Sequence, residues 1–477
     1  MTTDNHDVPA VPDPASGPAS GPASVPGGTA RDLIPFRTAV RAWFAISWQT
    51  FGGPAGQIAV MQRTLVDEKR WIGQGRFLHA LNYCMLLPGP EAQQLAVYTG
   101  WLLNGRRGGL VAGGLFVLPG MLALLVLSAV YVAFGETTVV SAVFAGLAPA
   151  VLAIVVQAVF RVGRRALTSP ALVVLAVAAF VALSLFAVPF PLVVLGAGVI
   201  GWLVHRLVPG WIATAPRRDQ ADGPAPLIPD DSLHAERPSG RRTLWVLVLG
   251  LVAWFLPVVV VALATGTGSV FTQQGLFFSG SALVTFGGAY AVLAYVAQQA
   301  VQTYAWVTPG EMTNGLALAE TTPGPLIMVV QFVAFLGAYR NPGDLDPWAA
   351  ALLGALLTTW VTFVPSFLFI FLGAPYVERL RGNRTLSAAL AAITAAVVGV
   401  IANLALYFTI HTLFASSSTW TAGPFRLTVP DLTTLQPAAL GIAVLAALLL
   451  FVARWSVLRT LGVCAVVGLA LGLAGVL

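Results

Sequence analysis

Two short motifs in this sequence occur twice, and they carry the clearest chemistry. Phe51-Gly52-Gly53 reappears as Phe286-Gly287-Gly288, and Pro88-Gly89-Pro90 reappears as Pro323-Gly324-Pro325. Both pairs are offset by 235 positions, and Trp71 with Trp306 and Gly75 with Gly310 keep the same register. Proline inside a helix removes a backbone donor and clashes with the preceding turn, and glycine loosens the same stretch. Because both motifs sit inside apolar runs, they predict interrupted helices. A restarted helix presents unpaired N–H groups and a partial positive charge at its N-terminus. Such ends hold anions without a buried cation, and Pro90 and Pro325 suit the first position of the restarted helices. The candidate anion-binding residues are therefore Gly52, Gly53, Pro88, Gly89, Pro90, Glu91 and Gln94, with Gly287, Gly288, Thr322, Pro323, Gly324 and Pro325 from the second set. Close helix packing is the competing use of Gly-Gly in a membrane.

Ionisable residues inside apolar runs are costly and usually functional. Glu91 directly follows the first Pro-Gly-Pro, and Glu320 lies three residues before the second. They are not repeat equivalents, since Leu326 matches Glu91 and Met85 matches Glu320. Both are candidates for proton coupling, and Glu91 equally suits a local helix cap. His79, Asn82, Gln93, Thr321 and Gln331 add hydrogen-bonding groups near the breaks. Lys69, Arg70 and Arg76 form a candidate anion entrance, or else an ordinary basic loop beside lipid headgroups. Asn403 and His411 carry no assignment. No P-loop and no His-Glu-x-x-His occurs, and Cys84 and Cys464 lie in apolar runs without metal-ligand spacing. No catalytic residue, metal or cofactor is expected.

The elements that position these residues must be membrane helices. The chain is 57% hydrophobic and 9% charged, with a mean hydropathy of +0.83. A soluble domain carries roughly 25% charge, so a soluble enzyme and a nucleic-acid binder are excluded. The lipid bilayer is the surrounding partner, and a homo-oligomer is compatible with the sequence. Apolar segments fall at 38–62, 77–103, 108–134, 138–160, 171–187 and 189–207, then 244–265, then 273–298, 313–337, 347–373, 386–412, 437–453 and 457–477. Most reach the ~20 residues needed to cross hydrocarbon. The expected architecture is an all-α polytopic membrane protein with about 13 hydrophobic helical segments, some broken or re-entrant. Its parts are a disordered tail at 1–30, a first repeat at 31–208, a polar cytoplasmic linker at 209–242, an extra transmembrane helix at 243–272 and a second repeat at 273–477. The acidic Asp4 and Asp7 and the lack of an apolar core argue against a signal peptide.

An odd number of crossings between the repeats inverts the second relative to the first. With the N-terminus inside, all Lys and Arg fall on the cytoplasmic side except Arg63, Lys69, Arg70, Arg76, Arg340 and Arg426. If 38–62 and 77–103 instead dip in and return, the loop 63–76 moves inside and only Arg340 and Arg426 remain outside. Each arm is then about 18 Å long, half a bilayer. Kinked full spans are the alternative. Paired helix starts at a midplane site suit a secondary transporter of an anion.

Phe51-Gly52-Gly53-Pro54, the following Asp67-Glu68-Lys69-Arg70-Trp71, and Pro88-Gly89-Pro90 with Gln94 and Gly100 resemble the chromate ion transporter family in its long two-domain form. The resemblance covers residues 36–477. It implies efflux of chromate across the cytoplasmic membrane, chromate resistance, and recognition of sulfate as an analogue. The second half departs from the pattern, lacking the acidic-basic run before Trp306 and the equivalent of Glu91. Residue spacing alone leaves sulfate, another anion, an anion channel and a membrane-embedded enzyme as alternatives.

Overall fold

The computed structural model describes residues 33–208, 226–229, 233, 239–286, 288–376 and 384–476. The tail 1–30, most of the linker 209–242, Gly287, Arg379 and Arg381 lie outside the described residues.

Backbone breaks set the element order. Helix α1 (Phe36–Ser47) stops before Gly52 and Gly53, whose φ values of 79° and 74° are left-handed and favour glycine. Pro54 then opens α2 (Gly53–Gln62), which widens into a π turn at Arg63–Glu68. Helix α3 (Gln74–Cys84) gives way to Pro88-Gly89-Pro90, and α4 (Glu91–Phe134) follows. Next come α5 (Thr138–Ala166), α6 (Pro170–Ser184), α7 (Phe190–Leu207) and α8 (Gly240–Thr265). The opening pattern then recurs as α9 (Val270–Leu283), α10 (Ala289–Gln298) with a π turn at Gln299–Thr303, and α11 (Pro309–Thr321). After Pro323-Gly324-Pro325 and a short 3-10 turn come α12 (Val329–Arg340) and α13 (Pro347–Gly373). The remaining elements are α14 (Arg384–Leu413), β1 (Ser417–Ala422), β2 (Phe425–Pro430), α15 (Pro437–Ala447) and α16 (Val457–Leu473). The antiparallel pair β1–β2 is a departure from an all-α chain.

Three of the four breaks fold their two arms back side by side. The rings of Tyr83 and Tyr98 lie 5.3 Å apart, whereas 15 residues of straight helix would separate them by roughly 22 Å. In the second half Phe277 and Tyr295 lie 5.4 Å apart, Gly315 abuts Phe332, and Arg340 pairs with Glu311. Helix α4 itself reverses at Asn104 (φ −136°) and Gly105 (φ 61°). Its two parts, 91–103 and 106–134, cross at Gly100 and Gly108, where a Cβ on Gly108 would stand 2.3 Å from the Gly100 carbonyl oxygen. Small residues permit this approach.

Six helices among the described residues are long and apolar enough to cross a membrane: Glu91–Phe134, Thr138–Ala166, Phe190–Leu207, Gly240–Thr265, Pro347–Tyr376 and Thr385–Leu413. That is fewer than the thirteen segments expected, because the breaks divide several apolar runs into arms shorter than a bilayer. Helix α8 shows lipid-facing logic most plainly. Trp254, Val258 and Val261 face inward, with Trp254 Nε1 donating to Ser279 Oγ (3.1 Å), while Leu249, Leu256 and Leu263 point outward. In hydrocarbon such an apolar exterior is the stable one. The two halves interlock, α5 packing on α16 and α14 on α6 and α7.

Candidate functional site

Thr50 and Thr285 directly precede the two Phe-Gly-Gly breaks and occupy the same repeat position. The Gly89 N–H donates to the Thr285 carbonyl (2.8 Å), and the Gly324 N–H donates to the Thr50 carbonyl (2.8 Å). The Pro-Gly-Pro corner of each half is thereby bonded to the Gly-Gly corner of the other, and packing of α10 on the 3-10 turn after Pro325 ties the two pairs into one junction. The backbone there requires glycine, with φ of 122° at Gly89 and 100° at Gly324. Helices α2, α4 and α10 and the turn leading into α12 all start at this junction, so their leading N–H groups gather there.

Side chains dress the two corners differently. At the first, Gln94 Nε2 donates to the Pro88 carbonyl (2.6 Å), and Ser366 Oγ lies against Gly89. Gln94 Oε1 and Ser366 Oγ are buried without a hydrogen-bond partner among the described residues. At the second, Gln57 Nε2 donates to the Gly324 carbonyl, and Gly120 packs on Pro323 and Gly324. A Cβ on Gly120 would stand 2.4 Å from the Pro323 carbonyl oxygen, so this corner has no room for a methyl group. The Gly-Gly corners are more open, with nothing within 4 Å of a Cβ placed on Gly52, Gly53 or Gly288.

The structure brings Gly52, Gly53, Pro88, Gly89, Pro90, Glu91, Gln94, Gly288, Pro323, Gly324 and Pro325 to the junction or the residues flanking it. Gly287 lies outside the described residues. Pro90 and Pro325 stand one residue before the restarted helices, as N-caps and not as first helical residues. Thr322 turns its hydroxyl back to the Ala319 carbonyl (3.1 Å). Glu91 occupies the first turn of α4 and is partly buried. Glu320 is buried and accepts a hydrogen bond from Tyr290 Oη on α10, and the charge of Arg161 on α5 reaches both.

Lys69, Arg70 and Arg76 lie away from the junction, at the tip of the first pair of hairpins. Lys69 Nζ sits 5.1 Å from the Trp71 ring centre, and the Arg70 carbonyl accepts from the Leu227 N–H (2.7 Å). The matching tip in the second half carries the Glu311–Arg340 pair. Burial disfavours the Glu311 carboxylate, yet hydrogen bonds from Arg340 and Thr308 hold its pKa below the usual range.

Sequence reasoning did not single out Thr50, Thr285, Gln57, Ser366 or Tyr290. For the two threonines the 235-residue register was a usable signal. Gln57 has no such signal, because Val292 stands at its matching position. No group of three or more His, Cys, Asp or Glu residues able to hold a metal occurs among the described residues.

A chromate transporter family model matches residues 38–202 and 272–472, on both sides of α8. The chain belongs to the chromate transporter family. It is 32% identical over 357 residues to a chromate transport protein of Pseudomonas aeruginosa, covering 74% of this chain and 76% of that protein. It is 28% identical over 354 residues to a chromate transport protein of Cupriavidus metallidurans, covering 74% and 77%. A probable chromate transport protein of Synechococcus elongatus is also 28% identical over 354 residues, covering 74% and 79%. No solved structure matches the chain. Membership in this family and the apolar helices make it a multi-pass membrane transporter.

Proposed function

We propose that the chain is a secondary active transporter that exports a small tetrahedral oxyanion, chromate foremost, across the cytoplasmic membrane. The observation that carries this reading is the reciprocal pair of hydrogen bonds, Gly89 to Thr285 and Gly324 to Thr50. It gathers several helix N-termini at one place, which is chemistry for an anion. The names of the three relatives supply chromate as the substrate. Sulfate shares its shape and charge and is the second substrate to test.

The halves, 31–208 and 273–477, act as inverted repeats about α8, and their hairpins re-enter from opposite faces. What supports this is the sequence of contacts along α4. Gly113 lies against Val97 of the first hairpins, Gly120 against the second proline corner, and Tyr131 beside Asn314 of the second hairpins. The first hairpin tip carries Lys69, Arg70 and Arg76, which favours the cytoplasmic face and a cytoplasmic N-terminus. Transport opens the junction to each face in turn. The amides of Gly89 and Gly324 then exchange their carbonyl partners for the anion, joined by Gln94 and Ser366 on the first side. An inside-negative potential drives net negative charge outward by about 2.3 kcal/mol per charge per 100 mV. Glu91 and Glu320 are the groups for proton coupling. A dianion about 6 Å from a charged Glu91 meets a repulsion on the order of 5 kcal/mol at an effective dielectric near 20, so occupancy favours protonated Glu91.

Flux of chromate and sulfate in proteoliposomes tests the reading. Gly89→Leu and Gly324→Leu are expected to abolish chromate flux while the protein still inserts. Normal flux from both variants would refute the junction as the site. Cysteines placed at 63–76 and 299–312 are expected to label from opposite faces, and labelling from one face would refute the inverted arrangement.

A further inference from the structure

A polar hollow formed by both halves lies apart from the junction. It is a cavity of about 550 Å³ walled by the end of α6, α10 with its π turn, α14 and the β1–β2 hairpin. We propose that it is an anion-holding vestibule on the face opposite Lys69 and Arg70, where the oxyanion sits hydrated once it has left the junction. The proposal rests on the transport reading for the identity of the anion, but the site's electrostatics can be tested without it.

Four observations carry it. First, the lining contains Arg426 and His411 but no Asp or Glu, and Arg426 makes no ion pair among the described residues. A cation over a hollow with no acid in its wall concentrates anions. Second, the hairpin that brings Arg426 is anchored independently of its charge. The Arg426 N–H donates to the Leu185 carbonyl (2.7 Å), and the Phe425 ring lies tilted against Phe186, 5.2 Å between centres. Third, Gln298 and Gln302, four residues apart on one helical face, both line the cavity beside the π turn at Gln299–Thr303; such turns are often found at functional positions. Fourth, Tyr407 lines the same wall with its hydroxyl buried and without a hydrogen-bond partner among the described residues. His411 Nδ1 lies 2.8 Å from the Tyr407 carbonyl oxygen, which can only accept, so Nδ1 carries the proton and the ring orientation is fixed. The volume exceeds what one bare tetrahedral anion fills, so the ion sits here with water around it.

The first half has no strand pair among its described residues, so the vestibule belongs to one face alone. That asymmetry makes the test sided. In a chain whose buried Cys84 and Cys464 are replaced by alanine, Gln302→Cys is expected to react several-fold faster with an anionic than with a cationic thiol reagent. Arg426→Gln should remove that preference, Arg426→Glu should reverse it, and Arg426→Lys should keep it. Equal rates with the two reagents in the presence of Arg426 would overturn the vestibule, whether or not chromate is transported. In vesicles of both orientations, Arg426→Gln should raise the half-saturating chromate concentration about fivefold from the hairpin side only, as expected for losing one charge about 8 Å from a dianion in water. An equal change from both sides would mark a folding defect and also overturn the site. Absence of chromate flux in the unaltered protein, with the reagent preference intact, would sink the transport reading and leave the anion site standing.

Discussion

Replacing Gly120 by alanine tests whether the second proline corner must sit where it does. The added Cβ would stand 2.4 Å from the Pro323 carbonyl oxygen and 3.5 Å from Gly324 Cα. A normal C···O separation is roughly 3.4 Å, so the corner must move by about 1 Å. Overpacking of this kind costs about 1–3 kcal/mol. Displacement also stretches the Gly324 to Thr50 hydrogen bond, worth about 0.5–1.5 kcal/mol. Against these, alanine gains about 1 kcal/mol of helix propensity over glycine. The net expectation is a loss of roughly 1–3 kcal/mol. Gly114→Ala on the same helix is the matched control, because nothing lies within 4 Å of its Cβ position and only the propensity gain applies. Melting in detergent should show Gly114→Ala at or above the unaltered protein and Gly120→Ala below it. Chromate flux should survive in the first and fall at least tenfold in the second. If Gly120→Ala were as stable and as active as Gly114→Ala, the close approach of the two halves at this corner would not be needed, and the reasoning would fail.

Tyr290→Phe leaves the buried Glu320 carboxyl without its phenolic donor and should cost about 1–3 kcal/mol of stability. Adding Glu320→Gln should recover part of that loss, which a double-mutant cycle by thermal melting would register. Flux should rise as pH falls through the titration of Glu91, and Glu91→Gln should flatten the profile; an unchanged profile would remove Glu91 from coupling. The Glu311–Arg340 pair contributes stability that is fully present above the ordinary glutamate pKa and lost as pH falls through the depressed folded value. Glu311→Gln should therefore lower the melting temperature at neutral pH and make no difference in strong acid. A constant gap across pH would contradict that sign.

The positions of the chain breaks are legible in the sequence because proline and glycine act locally, and the 235-residue register is a direct reading of identity. The extra helix is legible for the same reason: an apolar run at 244–265 becomes α8 at Gly240–Thr265. The folding back of the arms is only half legible. Arm length permits a hairpin, but the choice is made by packing between residues far apart, such as Tyr83 on Tyr98 and Gly315 on Phe332. The bonds from Gly89 to Thr285 and from Gly324 to Thr50 join residues about 200 or more positions apart, and no local pattern announces them. The β1–β2 hairpin had a signal that went unread. Thr419-Trp420-Thr421 and Phe425 to Val429 are rich in β-branched and aromatic residues around the Gly423-Pro424 turn.

The two corners share a backbone and differ in side chains, and that division follows from what each must do. The reciprocal hydrogen bonds are made by main-chain atoms, so they constrain only the residues needing special φ values, namely the glycines. Side chains around them are then free to diverge without disturbing the junction. Ser366 and Gly120 stand in corresponding places, one residue after Pro365 and Pro119, yet Ser366 offers an unpartnered hydroxyl to Gly89 while Gly120 offers only close packing to Gly324. Gln94 adds a second polar group on the first side, where the matching residue of the second half is Val329. On the proposed reading, an anion drawn to the junction finds its side-chain partners at Gly89. The Gly324 corner would then supply the rigid wall against which that side opens, in keeping with the tightest steric constraint and the unsatisfied polar groups falling at opposite corners.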